Sequence, residues 1–291
     1  MDVAVTSVGI CCAMGSSLDD LQQGLRESRS PFTSHPPLSV LADGRAGVAP
    51  GKGFRSRLKQ RKAAKLIPQA GRLALDAAGQ VLDGSDIDRD ELGLFVGVGR
   101  EPPDEGDAES CLAASCRDGR LDVGLLNQQG RPLYPPLLPL KTLPNMVLAH
   151  IAIHLDICGE NGCWSGGSEA GVTAFQAAYW SVVEGRSPAA LAGASDSLVS
   201  LGLARDRLRA GAEGLPGEGA AFFLLEPAER ARTLRRDIMA LLRWEGGASG
   251  SGSLHREIGD CGAANALLHL ATVLHRQDHW MGFRLQREQA T

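Results

Sequence analysis

The sequence is poor in the features that most directly identify a function. Aromatic residues make up only 4% of its 291 residues, which argues against an aromatic-rich β-sandwich. The 30 Lys and Arg residues are outnumbered by 34 Asp and Glu residues, so nucleic acid is not expected as a partner. No apolar run approaches the roughly 18 residues of a membrane span. The first residues also lack the basic start of a signal peptide.

Motifs for metals, dinucleotides and redox chemistry are also missing. The 7 Cys residues include no CxxC pair, so they are interpreted as reduced, mostly buried thiols of a cytoplasmic protein. His150 and His154 share a face of a predicted helix, but Ile151 stands where the metalloprotease motif HExxH needs Glu. The glycines on either side of Val98 do not extend to GxGxxG. We therefore expect no metal site and no cofactor.

What the sequence does contain is an alternation of short apolar runs and amphipathic segments. This order predicts an α/β layered fold around a largely buried mixed sheet. The predicted strands are Val3–Val8, Leu92–Val98, Cys163–Ser165, Ala189–Ala194, Gly219–Leu225 and Asp237–Trp244. Five helices are predicted. One begins after Ser17, a second ends near Val81, a third covers Leu143–Leu155, a fourth follows Ser168 and a fifth covers Ala263–His275. Gly9 is predicted to turn the chain out of the first strand, and residues 100–140 are predicted to be an insertion with little regular structure.

The strongest candidate for chemistry is the segment 165–171. A short strand, a Gly-Gly turn and a helix start place Ser168 at the positive end of a helix dipole, where exposed N–H groups can stabilise an oxyanion. This arrangement is similar to the GxSxG nucleophile elbow, although Ala170 stands where that motif has its second Gly. Because Ser is a preferred helix N-cap and no base is adjacent, the sequence favours a capping role for Ser168 over a nucleophilic one.

Two other groups of polar residues have plain structural interpretations. A basic segment contains Arg55, Arg57, Lys59, Arg61, Lys62 and Lys65. Such a run is typical of an exposed face, and it also fits an acidic partner such as a carrier protein. His275 and His279 flank a predicted helix end, and we interpret them as solvated or capping residues.

Taken in order, these segments resemble the β-ketoacyl synthase family, which has the thiolase fold. The segments that carry the resemblance are VAVTSVGICCAMGSSLDDLQQGLRESRSPF, LGLFVGVG, LPNMVLAHIAIHLDICGENG, CWSGGSEAGVTAFQAAYWSVVEGRSPAALAGASD, GEGAAFFLLEPAERA and IGDCGAANALLHLATVL. The resemblance implies a thiolase-like αβαβα layered fold with two similar halves. Residues 1–235 would form a complete N-terminal half with the insertion at about 100–140, and residues 236–291 would form a shortened C-terminal half.

The resemblance also implies how the subunits pair and which chemistry is normal for the family. Dimerisation would use the edge strand before the nucleophile. The residues of that strand are Asn161, Gly162, Cys163, Trp164 and Ser165. A typical member carries an acyl chain on a Cys, stabilises a thioester enolate with two His and receives its substrate from an acyl carrier protein.

This sequence departs from the family at every catalytic position. Ser168 stands at the position of the nucleophilic Cys, and a hydroxyl is a weaker nucleophile than a thiolate. The Gly/Thr-rich motif of the first His is missing, and Asp260 stands at the position of the second His. A carboxylate at that position would repel an enolate. The Gly/Phe-rich C-terminal signature is reduced to Trp280–Phe283, so we expect no catalytic residues in a truncated, degenerate synthase.

Three functions are compatible with this reading. The first is a non-catalytic subunit, similar to a chain-length factor, that pairs with an active ketosynthase in fatty-acid or polyketide assembly, with an acyl carrier protein as a further partner. The second is an adaptor that reuses the fold, for example in bacterial effector secretion. The third is a Ser-dependent acyltransferase that uses Ser168, with His255 as the nearest candidate base.

A dimer is expected, and the sequence leaves open whether it is homo- or heteromeric. A shortened second half predicts exposed sheet edges or an uncovered apolar face. Either feature would favour an obligate complex.

Overall fold

The computed structural model describes residues 1–100, 102, 106–246, 254–274 and 279–288. The strands are β1 (Val3–Cys12), β2 (Phe32–Ser34), β3 (Arg45–Gly47), β4 (Gly93–Val98), β5 (Cys116–Arg117), β6 (Arg120–Leu121), β7 (Asn161–Ser165), β8 (Ala190–Ser197), β9 (Glu218–Pro227), β10 (Ala240–Trp244), β11 (His279–Trp280) and β12 (Phe283–Gln286). The α-helices are α1 (Leu18–Arg26), α2 (Phe54–Arg57), α3 (Gln69–Leu82), α4 (Glu109–Ser115), α5 (Val123–Leu125), α6 (Pro139–Thr142), α7 (Asn145–Leu155), α8 (Ser168–Val183), α9 (Leu201–Arg209), α10 (Ala228–Thr233), α11 (His255–Ile258) and α12 (Asn265–Val273).

Eight strands form one mixed sheet in the order β11-β12-β10-β1-β9-β8-β4-β7. β4 is parallel to both β7 and β8, whereas β9 is antiparallel to both β8 and β1. β1 therefore runs in the same direction as β4, β7 and β8, and these four strands end at one edge of the sheet, which we call the carboxyl edge. In open α/β sheets ligands bind outside this edge.

The first strand is longer than predicted because Gly9 is not a turn. β1 pairs with β9 as far as Cys12, and Gly9 lies opposite Phe222 within that ladder. A Cβ at Gly9 would lie 2.0 Å from the carbonyl oxygen of Ala77 in α3. The glycine therefore permits close packing of a helix on the strand, a role that a glycine within a strand pattern can have as readily as a turn.

Both faces of the central strands are buried under helices. Along β9, Phe222 faces the side covered by α3 and α7, while Phe223 faces the side covered by α8 and α12. Alternate residues of one strand thus serve two separate cores, as in a sheet buried on both faces. Helix α1 begins where predicted, because the side chain of Ser17 accepts a hydrogen bond from the N–H of Asp20.

The C-terminal strands continue the same sheet beyond β1 and curl over α8. The ring of Phe175 in α8 packs edge-on against Phe223 of β9 at 5.5 Å between centroids, and against Trp280 at 5.4 Å and Phe283 at 5.6 Å. The hydroxyl of Tyr179 accepts a hydrogen bond of 3.1 Å from the backbone N–H of Trp244. The curled strands therefore cover α8 and α12. The uncovered apolar face that we expected from a shortened C-terminal half is not found at these two helices in the described residues.

The arrangement confirms the thiolase-like α/β fold, with a shortened C-terminal part. That part contributes β10, β11, β12, α11 and α12 to the described residues. The last predicted strand begins at Ala240 rather than Asp237, and the last predicted helix begins as a 3₁₀ turn at Gly262 and then runs as α12. His275 lies outside the described residues. No described helix has the length and apolar content needed to cross a membrane.

The prediction of little regular structure in residues 100–140 is wrong. Residues 106–143, which overlap most of this range, contain α4, a hairpin of β5 and β6, α5 and α6; we call residues 106–143 the insertion. Asp118 and Gly119 turn the hairpin with positive φ angles of 52° and 73°. The side chain of Asp122 then caps α5 by accepting the N–H of Leu125 at 3.0 Å. These elements are too short for an apolar period to reveal them.

Candidate functional site

Ser168 lies at the carboxyl edge, at the start of α8. β7 ends at Ser165, and the N–H of Gly166 donates to the carbonyl of Val98 at the end of β4. Gly167 is the N-cap and Ser168 is the first residue of the helix, so the capping role favoured by the sequence is wrong. The Ser168 side chain is half-buried, and its hydroxyl makes no hydrogen bond within the described ranges.

The carboxylate of Glu169 occupies the start of this helix. Its Oε1 accepts the N–H of Gly167 at 2.8 Å. A Cβ added at Gly166 would lie 2.7 Å from Oε1, and one added at Gly167 would lie 2.9 Å from Oε2. The two glycines therefore leave the space over the turn to this exposed carboxylate, which lies at the positive end of the helix dipole.

Asp260 is built into a network that joins three segments. Its Oδ2 forms an ion pair with Arg207 of α9, and both side chains are largely buried, 15% and 11% exposed respectively. Its Oδ1 accepts the N–H of Gly262 at 3.0 Å and the side-chain amide of Asn265 at 2.6 Å. The Asp260 carboxylate is thus fully engaged in structural bonds.

The backbone around Asp260 is held by the same network. Its N–H donates to the carbonyl of Leu215 at 2.8 Å, and its carbonyl accepts the N–H of Gly217 at 2.9 Å. Arg207 also donates to the carbonyls of Glu213 and Gly214. One arginine therefore fixes both the loop before β9 and the segment before α12.

Asp196 is a buried carboxyl at the carboxyl end of β8. It accepts the N–H of its neighbour Ser197 at 2.8 Å and that of Ala263 at 3.0 Å. Burial raises its pKa to about 6, because desolvation penalises the charged form more than the two N–H donors favour it. The Asp196 side chain leaves no room for a Cβ at Gly99 or Gly262. It therefore packs between the end of β4 and the C-terminal part of the chain.

No histidine among the described residues is hydrogen-bonded to Ser168. The ring of His255 lies 3.7 Å from the Asp260 carboxylate, and burial, then the charge of Arg207, lowers its pKa. His150 and His154 lie on α7 with parallel rings 6.0 Å apart. The Nδ1 atom of His154 accepts the N–H of Lys59 at 3.4 Å, so this pair anchors the basic segment. Within the described part of the chain, no group of three or more potential metal ligands is found.

The cations of the basic segment are mostly exposed. Arg57 is ion-paired with Asp83, and Lys59 with Asp156. The remaining members, Arg55, Arg61, Lys62 and Lys65, are exposed and make no ion pair with the described residues. This part of the surface therefore has an excess of positive charge on a chain whose net charge is -4.

β7, which the sequence predicted as the pairing strand, is an edge of the sheet. Among the described strands it pairs with β4 alone. Glu160 accepts the N–H of Leu94 and Gly166 donates to Val98, so the alternation of a parallel ladder directs the even-numbered peptide groups of β7 to β4. The peptide groups of Asn161, Cys163 and Ser165 therefore face outward from the sheet.

Exposed apolar side chains are concentrated in the insertion, which α7 connects to this edge. Large hydrophobic residues in the insertion that are more than 40% exposed are Leu112, Leu121, Val123, Leu133, Tyr134, Leu137 and Leu143. Helix α7 contacts both α6 of the insertion and β7, and its own Ile153 is 55% exposed. Scattered single apolar residues on a surface are ordinary, whereas a concentration of them marks an interaction site.

Sequence reasoning missed several residues of this region. Arg207 and Asp196 act through contacts with residues distant in sequence, and no local spacing signals them, whereas Asn265 contacts Asp260 only five positions before it. Glu169 had a local signal, because an acidic residue in the first turn of a helix is favoured by the dipole.

Comparisons with known proteins place these features in a family context. The family model described as β-ketoacyl synthase, N-terminal domain, matches residues 1–212. No curated protein sequence gives a match. A similar solved structure is the ishigamide ketosynthase/chain length factor, 24% identical, with a TM-score of 0.61, covering 84% of this chain and 68% of that chain.

Two other solved ketosynthases have the same fold. One comes from a complex of a type II polyketide synthase acyl-carrier protein with its ketosynthase, AntDE:AntF, and has 19% identity and a TM-score of 0.63 over 83% of this chain and 67% of that chain. The other is the ketosynthase from module 6 of the bacillaene synthase of Bacillus subtilis 168, with 11% identity and a TM-score of 0.68 over 100% of this chain and 68% of that chain. The chain thus spans about two thirds of the length of these relatives.

Proposed function

The chain belongs to the β-ketoacyl synthase family, whose N-terminal domain matches residues 1–212, and we propose that it is a non-catalytic subunit that pairs with an active ketosynthase. The proposed role is similar to that of a chain-length factor in fatty-acid or polyketide assembly. The two units of the chain in this proposal are residues 1–235 and residues 236–291.

One observation carries the proposal: β7 is an edge strand with outward-facing peptide groups, and α7 connects it to the exposed apolar insertion. An edge strand with unpaired N–H and C=O groups is a template for pairing with another chain. The neighbouring side chains add apolar surface that gains free energy when a partner covers it. A dimer through β7 would satisfy both features at once.

The chemistry of the site supports a non-catalytic role. Ser168 has no hydrogen-bonded base in the described residues, and a Ser hydroxyl needs such a base to act as a nucleophile. Asp260 is held by Arg207 and Asn265, so its carboxylate is committed to holding the fold. Both observations support a role in which neither residue handles an acyl chain or an enolate.

The basic segment supports an acyl carrier protein as a further partner. Carrier domains are acidic, and a patch of exposed cations steers an acidic partner through long-range attraction. Such an interaction weakens as salt increases. Binding through this segment would therefore be lost between low and high ionic strength, whereas binding through β7 and the insertion would persist.

The test is to purify the tagged full-length chain from its native host and identify what co-purifies, with Ser168→Ala as the matched variant. We expect an intact ketosynthase with both forms in equal amount. Secretion components in place of a ketosynthase would instead indicate the adaptor function. Acyl transfer by the purified chain that is abolished in Ser168→Ala would indicate an acyltransferase, and either result would overturn the proposal.

A further inference from the structure

The residue that follows Ser168 in the first turn of α8 is Glu169, an exposed residue that carries a carboxylate. It is held in place by the 2.8 Å hydrogen bond from the N–H of Gly167. Among the described residues no cation is ion-paired with it. Its two oxygens occupy the space that side chains at Gly166 and Gly167 would need. The Glu169 carboxylate thus places a negative charge at this helix start. In an active member of the family, the same position must stabilise the negative charge that develops on the substrate.

We propose that Glu169 acts as a built-in anion that makes the Ser168 position repel negatively charged acyl intermediates. The inference rests on the proposed non-catalytic function and deepens it by naming the class of ligand that the site excludes. That class comprises the oxyanion of acyl transfer and the enolate of a decarboxylated thioester. Loss of the Cys nucleophile is then only one of two changes, and restoring a thiol alone would not restore a reactive nucleophile.

The physical argument depends on how a helix start normally affects a thiol. Unpaired N–H groups and the dipole lower the pKa of a Cys at this position below its ordinary value of about 8.5. A fixed carboxylate nearby opposes this effect, because like charges disfavour the ionised form. Glu169 both takes up the N–H of Gly167 and adds its own charge, so the two contributions act in the same direction.

The consequence can be measured directly with Ser168→Cys. We would make this substitution with Cys116→Ser and Cys158→Ser, because those two thiols are exposed. The rate of alkylation of residue 168 by iodoacetamide would be followed by peptide mass spectrometry from pH 6 to pH 10. With Glu169 present, we expect an apparent thiol pKa at or above about 8.5. Addition of Glu169→Gln is expected to lower it by about one unit, with alkylation at pH 7 faster by about tenfold.

Two controls separate this charge effect from a general change in the protein. Glu184→Gln removes a carboxylate at the far end of the same helix, and we expect it to leave the thiol pKa unchanged. In the protein that retains Glu169, 1 M salt is expected to lower the thiol pKa, because it screens the carboxylate. The unfolding midpoint of each variant would confirm that α8 is intact.

An apparent thiol pKa below about 7 with Glu169 present, or one that Glu169→Gln does not change, would overturn the inference. The measurement uses the chain alone. A chain that failed to bind a ketosynthase could still show the Glu169 effect, and a chain that bound one could lack it. Failure of this inference is therefore distinguishable from failure of the proposed function.

Discussion

The sheet with its covering helices and the insertion use their apolar residues in opposite ways. In the first region, phenylalanines such as Phe175, Phe222 and Phe223 are fully buried between strands and helices. In the insertion, Leu121, Val123 and most other large apolar side chains point to solvent. The described part of the first region buries its core aromatic residues within one chain, so the proposed partner surface is the insertion and the edge strand β7 rather than the shortened C-terminal part.

The largest expected effect on stability comes from replacing an aromatic side chain by alanine, which distinguishes the two regions. Phe175→Ala removes a ring that contacts Phe223, Trp280 and Phe283, so we expect a loss of about 3–5 kcal/mol in the free energy of unfolding. Tyr134→Ala in the insertion is the matched control, expected to change it by less than about 0.5 kcal/mol because the ring is 43% exposed. Urea unfolding of both variants makes the measurement. Similar losses would contradict the distinction between the two regions.

A somewhat smaller effect is expected at the buried ion pair. Asp260→Ala leaves Arg207 without its partner, and this uncompensated charge is expected to cost about 3 kcal/mol. Asp206→Ala is the control, because its pair with Arg100 is exposed and worth less than about 0.5 kcal/mol. If the two variants had equal stability in urea, the structural role of Asp260 would be wrong.

A pH-dependent effect is expected from the histidines that anchor the basic segment. Burial lowers the pKa of both His150 and His154, with a further contribution from His154 in the first case and Lys59 in the second. As the pH falls below about 6.5, these histidines therefore bind protons in the unfolded chain before they do so in the folded one. The free energy of unfolding decreases from that pH down to the pKa of the folded state. In urea unfolding at pH 7.5 and 5.5, His150→Leu is expected to lose less stability than the wild type. A steeper loss in the variant would contradict the assigned direction.

The smallest effect on stability, but a clear one on association, is expected in the insertion. Leu133→Ser and Leu137→Ser change side chains that are 51% and 52% exposed, so the free energy of unfolding is expected to change by less than about 0.5 kcal/mol. Binding to the ketosynthase partner is expected to weaken by about tenfold for each, because each side chain would lose burial in the complex. Titration by calorimetry checks this, and Leu208→Ser on α9 is the control outside the insertion. Unchanged affinity in both insertion variants would remove the insertion from the interface.

The sequence predicted the elements whose pattern is local and missed those set by distant contacts. The strand that ends at Val98 and the helix that starts at Ser17 were identified because burial and capping are visible within a few residues. Gly9 was misread because its reason for being glycine is Ala77, a residue 68 positions away. Ser168 was placed correctly at a helix start, but Glu169 rather than Ser168 accepts the hydrogen bond there, from the N–H of Gly167. The role of Asp260 was similarly hidden, because it depends on Arg207.

The proposed pairing of β7 with a ketosynthase is tested by Cys163→Pro. The N–H of Cys163 faces away from β4, so a proline there removes an outward donor without breaking the ladder within the chain. Cys163→Ala is the matched control, because it changes the side chain and keeps the N–H. The measurement is the mass of the complex with the co-purified ketosynthase by light scattering. We expect a heterodimer with Cys163→Ala and separate, folded subunits with Cys163→Pro, whereas an intact heterodimer with Cys163→Pro would contradict the account.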